Sequence, residues 1–232
     1  MEDRPNLSVV IPAWNERENL EVLLPMLQET LRAIDVRAEI LVVDGGSTDG
    51  TRTVVEAHGA RYVLQTERGY GGALLAGFGE ARADYIATMD ADLSHPPSFL
   101  QAFWARRHEA TMLIGSRYVP GGKAEMNWFR RLLSFILNRT FALALAIPVK
   151  DMSSGFRMYH REALQNLKLE SRDFDALEEI LIQIHGQGCR ILEVPFHYQP
   201  RGSGSSHARL FKFGLAYVKL LLRVRRPKPV SR

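Results

Sequence analysis

Short runs of β-branched and other apolar residues alternate with amphipathic stretches through the first half of the chain. Leu7 to Ile11, Glu39 to Val43, Arg61 to Leu64 and Tyr85 to Met89 have the pattern of strands. Arg17 to Ile34, Gly50 to His58, Gly71 to Ala83 and Pro96 to His108 have the three-to-four-residue apolar spacing of helices. The alternation predicts βαβ units and a mostly parallel, buried sheet flanked by helices, an α/β class of Rossmann-like type. Thr111 to Ile114 is expected to join the sheet. Ligands of such sheets gather beyond the carboxyl ends of the strands. Attention therefore falls on PAWNE at 12–16, DGGSTDG at 44–50 and DADLSHPP at 90–97.

The second half is less regular. Trp128 to Ile147 reads as a long helix, the loop KDMSSGFR follows at 150–157, and further helices are expected near Arg161 to Leu167 and Asp175 to Gly186. Arg190 to Tyr198 reads as one strand. QPRGSGSSH at 199–207 is a Gly/Ser loop before a C-terminal amphipathic helix from Ala208 to about Arg226. No repeat and no long linker appears, so the expected organisation is one folded domain over 1–207 and a basic helix and tail over 208–232.

Composition agrees with one large folded domain: 232 residues, 46% hydrophobic and 24% charged. The formal charge of +4 hides an asymmetry. The first 100 residues hold eight basic and sixteen acidic side chains, a charge of −8, and the rest twenty-two basic and ten acidic, a charge of +12. Cys189, the single cysteine, has no partner for a disulfide and no Cys/His company for zinc, so it reads as a small apolar residue in a reducing compartment. The acidic, polar opening MEDRPN and the short apolar run after it, Leu7 to Ile11, are not expected to act as a signal peptide. The apolar stretch from Leu132 to Val149 is broken by Asn138 and Arg139, and that from Leu210 to Val224 by Lys212, Lys219 and Arg223, so neither is expected to span a bilayer. From 209 to 232 there are eight basic and no acidic residues. That helix fits either an interfacial role on anionic lipid or a core-packed helix with a solvated basic face.

Asp90 and Asp92 end an apolar run, and the two-residue period of a strand would aim both carboxylates to one side. Two hard oxygen ligands suit Mg²⁺ or Mn²⁺, which complete their shell with water and substrate phosphate. The alternative is a solvated strand end with Asp92 capping the next helix. The glycines at 69–72 lack the third glycine of a dinucleotide fingerprint, Leu74 standing in its place, so they read as a tight turn into a closely packed helix. His58, His95, His108, His160, His185 and His197 show no ligand spacing and read as structural or exposed.

In order along the chain, SVVIPAWNERENL, ILVVDGGSTDGT, RGYGGALLAGFGEA, YIATMDADLSHPP, IGSRYVPGG, Arg130 and Arg131 with Ser134 and Asn138, KDMSSGFRMY, and EVPFHYQPRGSGSSH resemble the family 2 glycosyltransferases of GT-A fold. Within that family the motifs are most similar to those of dolichol-phosphate (polyprenol-phosphate) mannosyltransferases, from Leu7 to about His207. The resemblance implies that Pro12, Ala13, Trp14 and Glu16 line a nucleotide-sugar pocket, with Trp14 where the family usually has Tyr. Asp44 matches the first Asp of the family's DDxS motif, and Gly45 replaces its neighbour, which contacts the base in relatives. Asp90, Ala91 and Asp92 match the sugar-nucleotide site. Asp90 and Asp92 would hold the metal, and Ser94, where relatives carry Gln, would be a third ligand. Arg117, Arg130 or Arg131, and Arg201 match arginines that grip the donor diphosphate and the lipid phosphate, with Ser134 beside them. Guanidinium forks suit phosphate oxygens. His207 replaces a usual Lys.

A phosphomonoester acceptor has a second pKa near ~6, so at neutral pH it is already a nucleophilic dianion. A sugar hydroxyl acceptor would need a general base, for which Asp151 is the candidate; the same residue could instead brace its own Ser/Gly loop. The first expectation is an inverting, metal-dependent transferase that moves a hexose, mannose from GDP-mannose, onto a polyprenyl phosphate. It would work peripherally at the cytoplasmic face of a membrane, with a separate membrane-anchoring subunit left open and no nucleic-acid partner. The alternatives are UDP-glucose or another nucleotide sugar, a hydroxyl acceptor, or a binding module of the same fold without turnover.

Overall fold

The structure is a computed structural model that describes residues 4–125 and 128–199, with the backbone alone at Phe129 and Arg130. Its strands are β1 (Leu7–Ala13), β2 (Ala38–Asp44), β3 (Arg61–Leu64), β4 (Tyr85–Thr88), β5 (Met112–Ser116), β6 (Lys123–Ala124), β7 (Arg157–His160), β8 (Ile191–Pro195) and β9 (His197–Tyr198). Seven of them form one sheet in the order β3-β2-β1-β4-β7-β5-β8, and β6 pairs with β9 in a small second sheet. All pairings are parallel except those of β7, which runs antiparallel to both β4 and β5. The helices are α1 (Arg17–Ala33), α2 (Thr51–Ala57), α3 (Gly69–Glu80), α4 (Leu100–Arg106), α5 (Trp128–Leu145) and α6 (Ala176–Gly186).

The apolar runs are continuous because both faces of the sheet are covered. Leu7, Val9 and Ile11 of β1 pack with Leu20, Leu24 and Leu27 of α1 on one face. Val10 packs with Leu74 and Phe78 of α3 and Ile180 of α6 on the other. The fully buried leucines of α1 recur at 20, 23, 24 and 27, the spacing of one helical stripe, and each contributes roughly 1.5–3 kcal/mol of burial. Cys189 is partly buried against the core, as its composition suggested.

The second half departs from expectation in three places. Arg157–His160 is a strand rather than part of a loop, and a single 3₁₀ turn, Arg161–Leu164, replaces the expected helix after it. Arg157 hides the strand pattern: it is fully buried and donates to the carbonyls of Met152 (2.5 Å), Ser154 (2.7 Å) and Leu177 (2.6 Å). The run expected as one strand over 190–198 divides at Phe196 into β8 and β9, and β9 takes β6 as its partner. The Gly/Ser loop from 200, the C-terminal helix and the 207/208 boundary lie outside the described residues. No helix among the described residues is long and apolar enough to cross a membrane.

Candidate active site

A cavity of about 610 Å³ opens beyond the carboxyl ends of β1 to β4. β1 lies where the sheet's winding reverses, with β2 and β3 to one side and β4 to the other, the place where open α/β sheets bind ligands. The walls come from Pro12, Ala13, Trp14 and Glu16 after β1, Gly45 after β2, Gln65 after β3, and Asp90, Ala91 and Asp92 after β4. The start of α3 adds Arg68, Gly69, Tyr70 and Ala73, and the segment before α6 adds Asp173 and Phe174.

The loops after β1 and β2 are bonded to each other. The Asn15 N–H donates to Ser47 Oγ (2.7 Å), the Thr48 N–H to Asn15 Oδ1 (2.9 Å), the Glu16 N–H to Thr51 Oγ1 (3.2 Å) and the Arg17 N–H to Asp49 Oδ2 (3.0 Å). Burial works to raise the Asp49 pKa, but donation from the Thr51 hydroxyl and from the Arg17 and Thr51 N–H groups outweighs it and holds the carboxyl below its ordinary value. Asp44 sits beneath this pair of loops, 1% exposed. It accepts from the Gly46 and Ser47 N–H groups, the Ser47 hydroxyl and the Tyr62 hydroxyl (2.8 Å). Burial, together with that bond to Asp44, pushes the Tyr62 phenol up to about 12.

β4 ends at Thr88, so Asp90 and Asp92 belong to the following loop and strand alternation does not orient them. Asp92 is buried, and its Oδ1 accepts the Ser94 N–H (3.1 Å) and hydroxyl (2.6 Å). Asp90 is more open. Its Oδ1 accepts the Tyr70 hydroxyl (3.1 Å), and its N–H donates to His95 Nδ1 (2.9 Å), which leaves the ring proton on Nε2, 3.7 Å from Asp90 Oδ2. His95 is held by ring contacts with Phe156 and Phe196. Tyr70 stacks on Phe174 at 4.7 Å, and burial, then the Asp90 charge, pushes its phenol well above the ordinary value. Two carboxylates on one cavity wall are a donor set that fits a hard divalent cation, which takes its other ligands from water and phosphate. No cage of three or more His, Cys, Asp or Glu exists among the described residues.

A second cavity, about 370 Å³, lies beyond β5 and is lined by Arg117, Tyr118, Trp128, Arg131, Leu132 and Phe135 among others. Arg117 is fixed in place. Its N–H and Nε donate to Asp151 Oδ2 (2.9 and 2.8 Å), and its Nη2 to Asp151 Oδ1 (2.7 Å) and Ser153 Oγ (2.8 Å). Burial opposes the charge on Arg117, but the Asp151 carboxylate more than offsets it and raises the guanidinium pKa further. Asn138 ties α5 to the same loop, accepting the Met152 (2.7 Å) and Ser153 (3.2 Å) N–H groups and donating to the Ser134 carbonyl (2.8 Å). The loop before β7 therefore joins the two cavities. Asp151 and Ser153 hold Arg117 at one end, and at the other Gly155 lies so close that an added Cβ would meet Tyr70 Oη at 2.8 Å and Asp90 Oδ1 at 3.2 Å.

Residues 8–168 match the family described as Glycosyl transferase family 2. The chain belongs to glycosyl transferase family 2. It is 37% identical over 210 residues to a dolichol-phosphate mannosyltransferase of Pyrococcus furiosus, a match that covers 86% of this chain and 58% of that protein, so it spans less than two thirds of that relative's length. It is 34% identical to an undecaprenyl-phosphate mannosyltransferase of Micrococcus luteus, with 85% of each chain covered. A dolichol-phosphate mannosyltransferase of Saccharomyces cerevisiae is 32% identical, with 86% of this chain and 79% of the yeast protein covered. The fold is shared with glucosyl-3-phosphoglycerate synthase of Mycobacterium tuberculosis, solved in complex with Mn²⁺, UDP and glucosyl-3-phosphoglycerate. That likeness has a TM-score of 0.74 at 21% identity and covers 99% of this chain and 82% of the other.

Against this family 2 frame, most of the expected nucleotide-sugar residues stand on one wall: Pro12, Ala13, Trp14, Glu16, Asp90, Ala91 and Asp92 all line the larger cavity. Asp44 does not; its carboxylate is spent beneath the loop it shapes. Ser94 is fully buried with its hydroxyl given to Asp92, so it braces that carboxylate instead of facing the cavity. Arg117 and Arg131 meet in the smaller cavity, while Ser134 stands behind it, accepting the Tyr118 hydroxyl (2.8 Å). The Arg130 side chain, Arg201 and His207 lie outside the described residues. Asp151 is committed on both oxygens to Arg117 and is fully buried, the geometry of a brace and not of a base. Gln65, Arg68, Tyr70, Asp173 and Phe174 line the larger cavity without having been singled out by the sequence.

Proposed function

We propose that this chain transfers a hexose from a nucleoside diphosphate sugar in the larger cavity to a polyprenyl phosphate in the smaller one. Mannose from GDP-mannose is the first donor we assign, because three relatives above 30% identity carry mannosyltransferase names. The observation that carries the acceptor is the company kept in the smaller cavity: two guanidinium groups, Arg117 and Arg131, beside the apolar side chains of Trp128, Leu132 and Phe135. Phosphate oxygens suit the first pair and hydrocarbon suits the second group. Trp128, 73% exposed, and the exposed Leu132, Phe135, Ile136 and Leu143 give α5 an apolar surface suited to lipid, so the enzyme works peripherally at a membrane.

Asp90 and Asp92 would hold a Mg²⁺ or Mn²⁺ ion, whose charge offsets that of the departing diphosphate when it is bound. Arg117 arrives already oriented by Asp151, so little reorganisation is needed when the lipid phosphate enters. The phosphate dianion attacks without a protein base, which agrees with Asp151 having both oxygens taken. One in-line displacement at the anomeric carbon then inverts its configuration. The test is incubation of the full chain with polyprenyl phosphate and Mn²⁺, and with radiolabelled GDP-mannose or UDP-glucose in parallel. Organic-extractable label from GDP-mannose, lost in Asp92→Ala, is expected. Label from UDP-glucose alone would reassign the donor, and an undiminished Asp92→Ala would remove the metal carboxylates from the mechanism.

A further inference from the structure

The two carboxylates on the wall of the larger cavity are held by different means. Asp92 is fixed within its own turn, where its buried Oδ1 accepts both the N–H and the hydroxyl of Ser94. Asp90 is more open and is reached from three segments. The Tyr70 hydroxyl of α3 donates to its Oδ1, His95 accepts its N–H, and Gly155 packs on its carboxylate from the loop before β7.

The bond to His95 begins where the sheet stops. Pairing of β4 ends at Thr88, against Val10 on one side and Arg157 on the other, so the Asp90 N–H lies past the ladder and needs an acceptor. His95 Nδ1 supplies it at 2.9 Å. The turn that returns His95 to this donor puts Leu93 at φ 65°, a left-handed conformation that leucine seldom adopts. The imidazole is buried, stacked on Phe156 with Phe196 and Tyr198 at steep angles to it. A phenyl ring would fill the same space; what the imidazole adds is the acceptor.

Tyr70 is placed as closely. Its ring stacks on Phe174 at 4.7 Å. Gly155 lies outside the left-handed region, so its backbone does not demand glycine. What glycine permits there is close approach, since a Cβ would fall 2.8 Å from Tyr70 Oη and 3.2 Å from Asp90 Oδ1. Resting on the reading that Asp90 and Asp92 hold a divalent cation, we infer that Tyr70 and His95 are positioning residues for that ion. Tyr70 sets the rotation of the Asp90 carboxylate and His95 sets its backbone, so the two carboxylates meet the ion already oriented. Both act through Asp90. Hydrogen-bond partners of this kind are worth about ten- to a hundredfold in metal affinity. Donation to Oδ1 also withdraws charge from the carboxylate, an effect of opposite sign, so the direction of the change on removing the hydroxyl decides between the two.

Mn²⁺ binding to the full chain, read from the EPR signal of the free ion without GDP and with it against a GDP blank, tests this. Asp92→Ala is the reference for loss of the site. Tyr70→Phe keeps the ring and its stack, and should weaken Mn²⁺ binding about ten- to a hundredfold. His95→Leu and His95→Asn remove the ring alike and are similar in shape, but only the amide keeps an acceptor for the Asp90 N–H. His95→Leu should weaken Mn²⁺ binding about ten- to a hundredfold, and His95→Asn should bind at least about threefold more tightly than His95→Leu. A ring that only fills space would make the two equal. Affinity unchanged or raised in Tyr70→Phe, or equal in the two His95 variants, while Asp92→Ala abolishes binding, would overturn the positioning role and leave the metal carboxylates standing. If the wild type binds no Mn²⁺ in either condition, or binds it as well after Asp92→Ala, the metal reading falls and the positioning role with it.

Discussion

At the scale of single residues, the arrangement rests on polar groups that are buried with their partners. Asp151 is fully buried and Arg117 is 11% exposed, so removing the carboxylate strands a guanidinium in a site with little water. Asp151→Ala is expected to cost about 3–5 kcal/mol in urea denaturation. Asp151→Asn, which keeps the shape, should raise KM for the lipid phosphate and lower kcat about tenfold or more without changing GDP affinity. An Asp151→Asn enzyme with unchanged acceptor kinetics would show that Arg117 does not meet the acceptor. A pH effect belongs to Tyr62, whose phenol is raised from 10.0 to about 12 by burial and by Asp44. The native state then holds that proton more tightly than the unfolded chain does. Its stabilising effect is whole below about pH 10 and is lost as pH rises toward 12. Denaturation midpoints measured across that range should fall, and Tyr62→Phe should flatten the fall.

At the scale of elements, the glycines that open α3 are set by a neighbouring segment. The Gly71 N–H donates to Arg172 O (2.8 Å), and a Cβ at 71 would lie 2.6 Å from Ser171 O and 2.8 Å from the Ala176 methyl. Glu179 holds that segment from the other side by accepting the Glu170 and Ser171 N–H groups. Gly71→Ala should therefore destabilise the fold by about 1–3 kcal/mol and displace Phe174, read as a lower urea midpoint and weaker nucleotide binding together. Loss of neither would mean the segment moves aside freely. The sequence made this helix legible as closely packed but gave no sign of its neighbour, because 171–174 lies about a hundred residues further on and has no motif. Gln65 was within reach: the rule that picked out residues after β1, β2 and β4 applies equally after β3. β7 was not, since a buried Arg bonded to three carbonyls looks like a surface charge in the sequence. The Asp90/Asp92 pair was found for a reason that fails, strand alternation, and succeeds for another, because one loop after β4 brings both to the cavity wall.

At the scale of the molecule, the charge split at residue 100 has a structural counterpart. The acidic part builds nearly all of the larger cavity, and the basic part builds the smaller one with its two arginines. The loop before β7 spans the distance between them, so the two cavities are positioned by one continuous stretch of backbone. On the function proposed above, the smaller cavity receives a phosphate on a hydrocarbon chain and not a hydroxyl. The most direct measurement compares hexose transfer to polyprenyl phosphate, to the matching polyprenol and to soluble sugar acceptors, with the products identified by mass spectrometry and anomeric configuration. Transfer to polyprenyl phosphate alone, with inversion, and its loss in Arg117→Ala, is the predicted result. Transfer to the polyprenol or to a sugar hydroxyl at a comparable rate would contradict it.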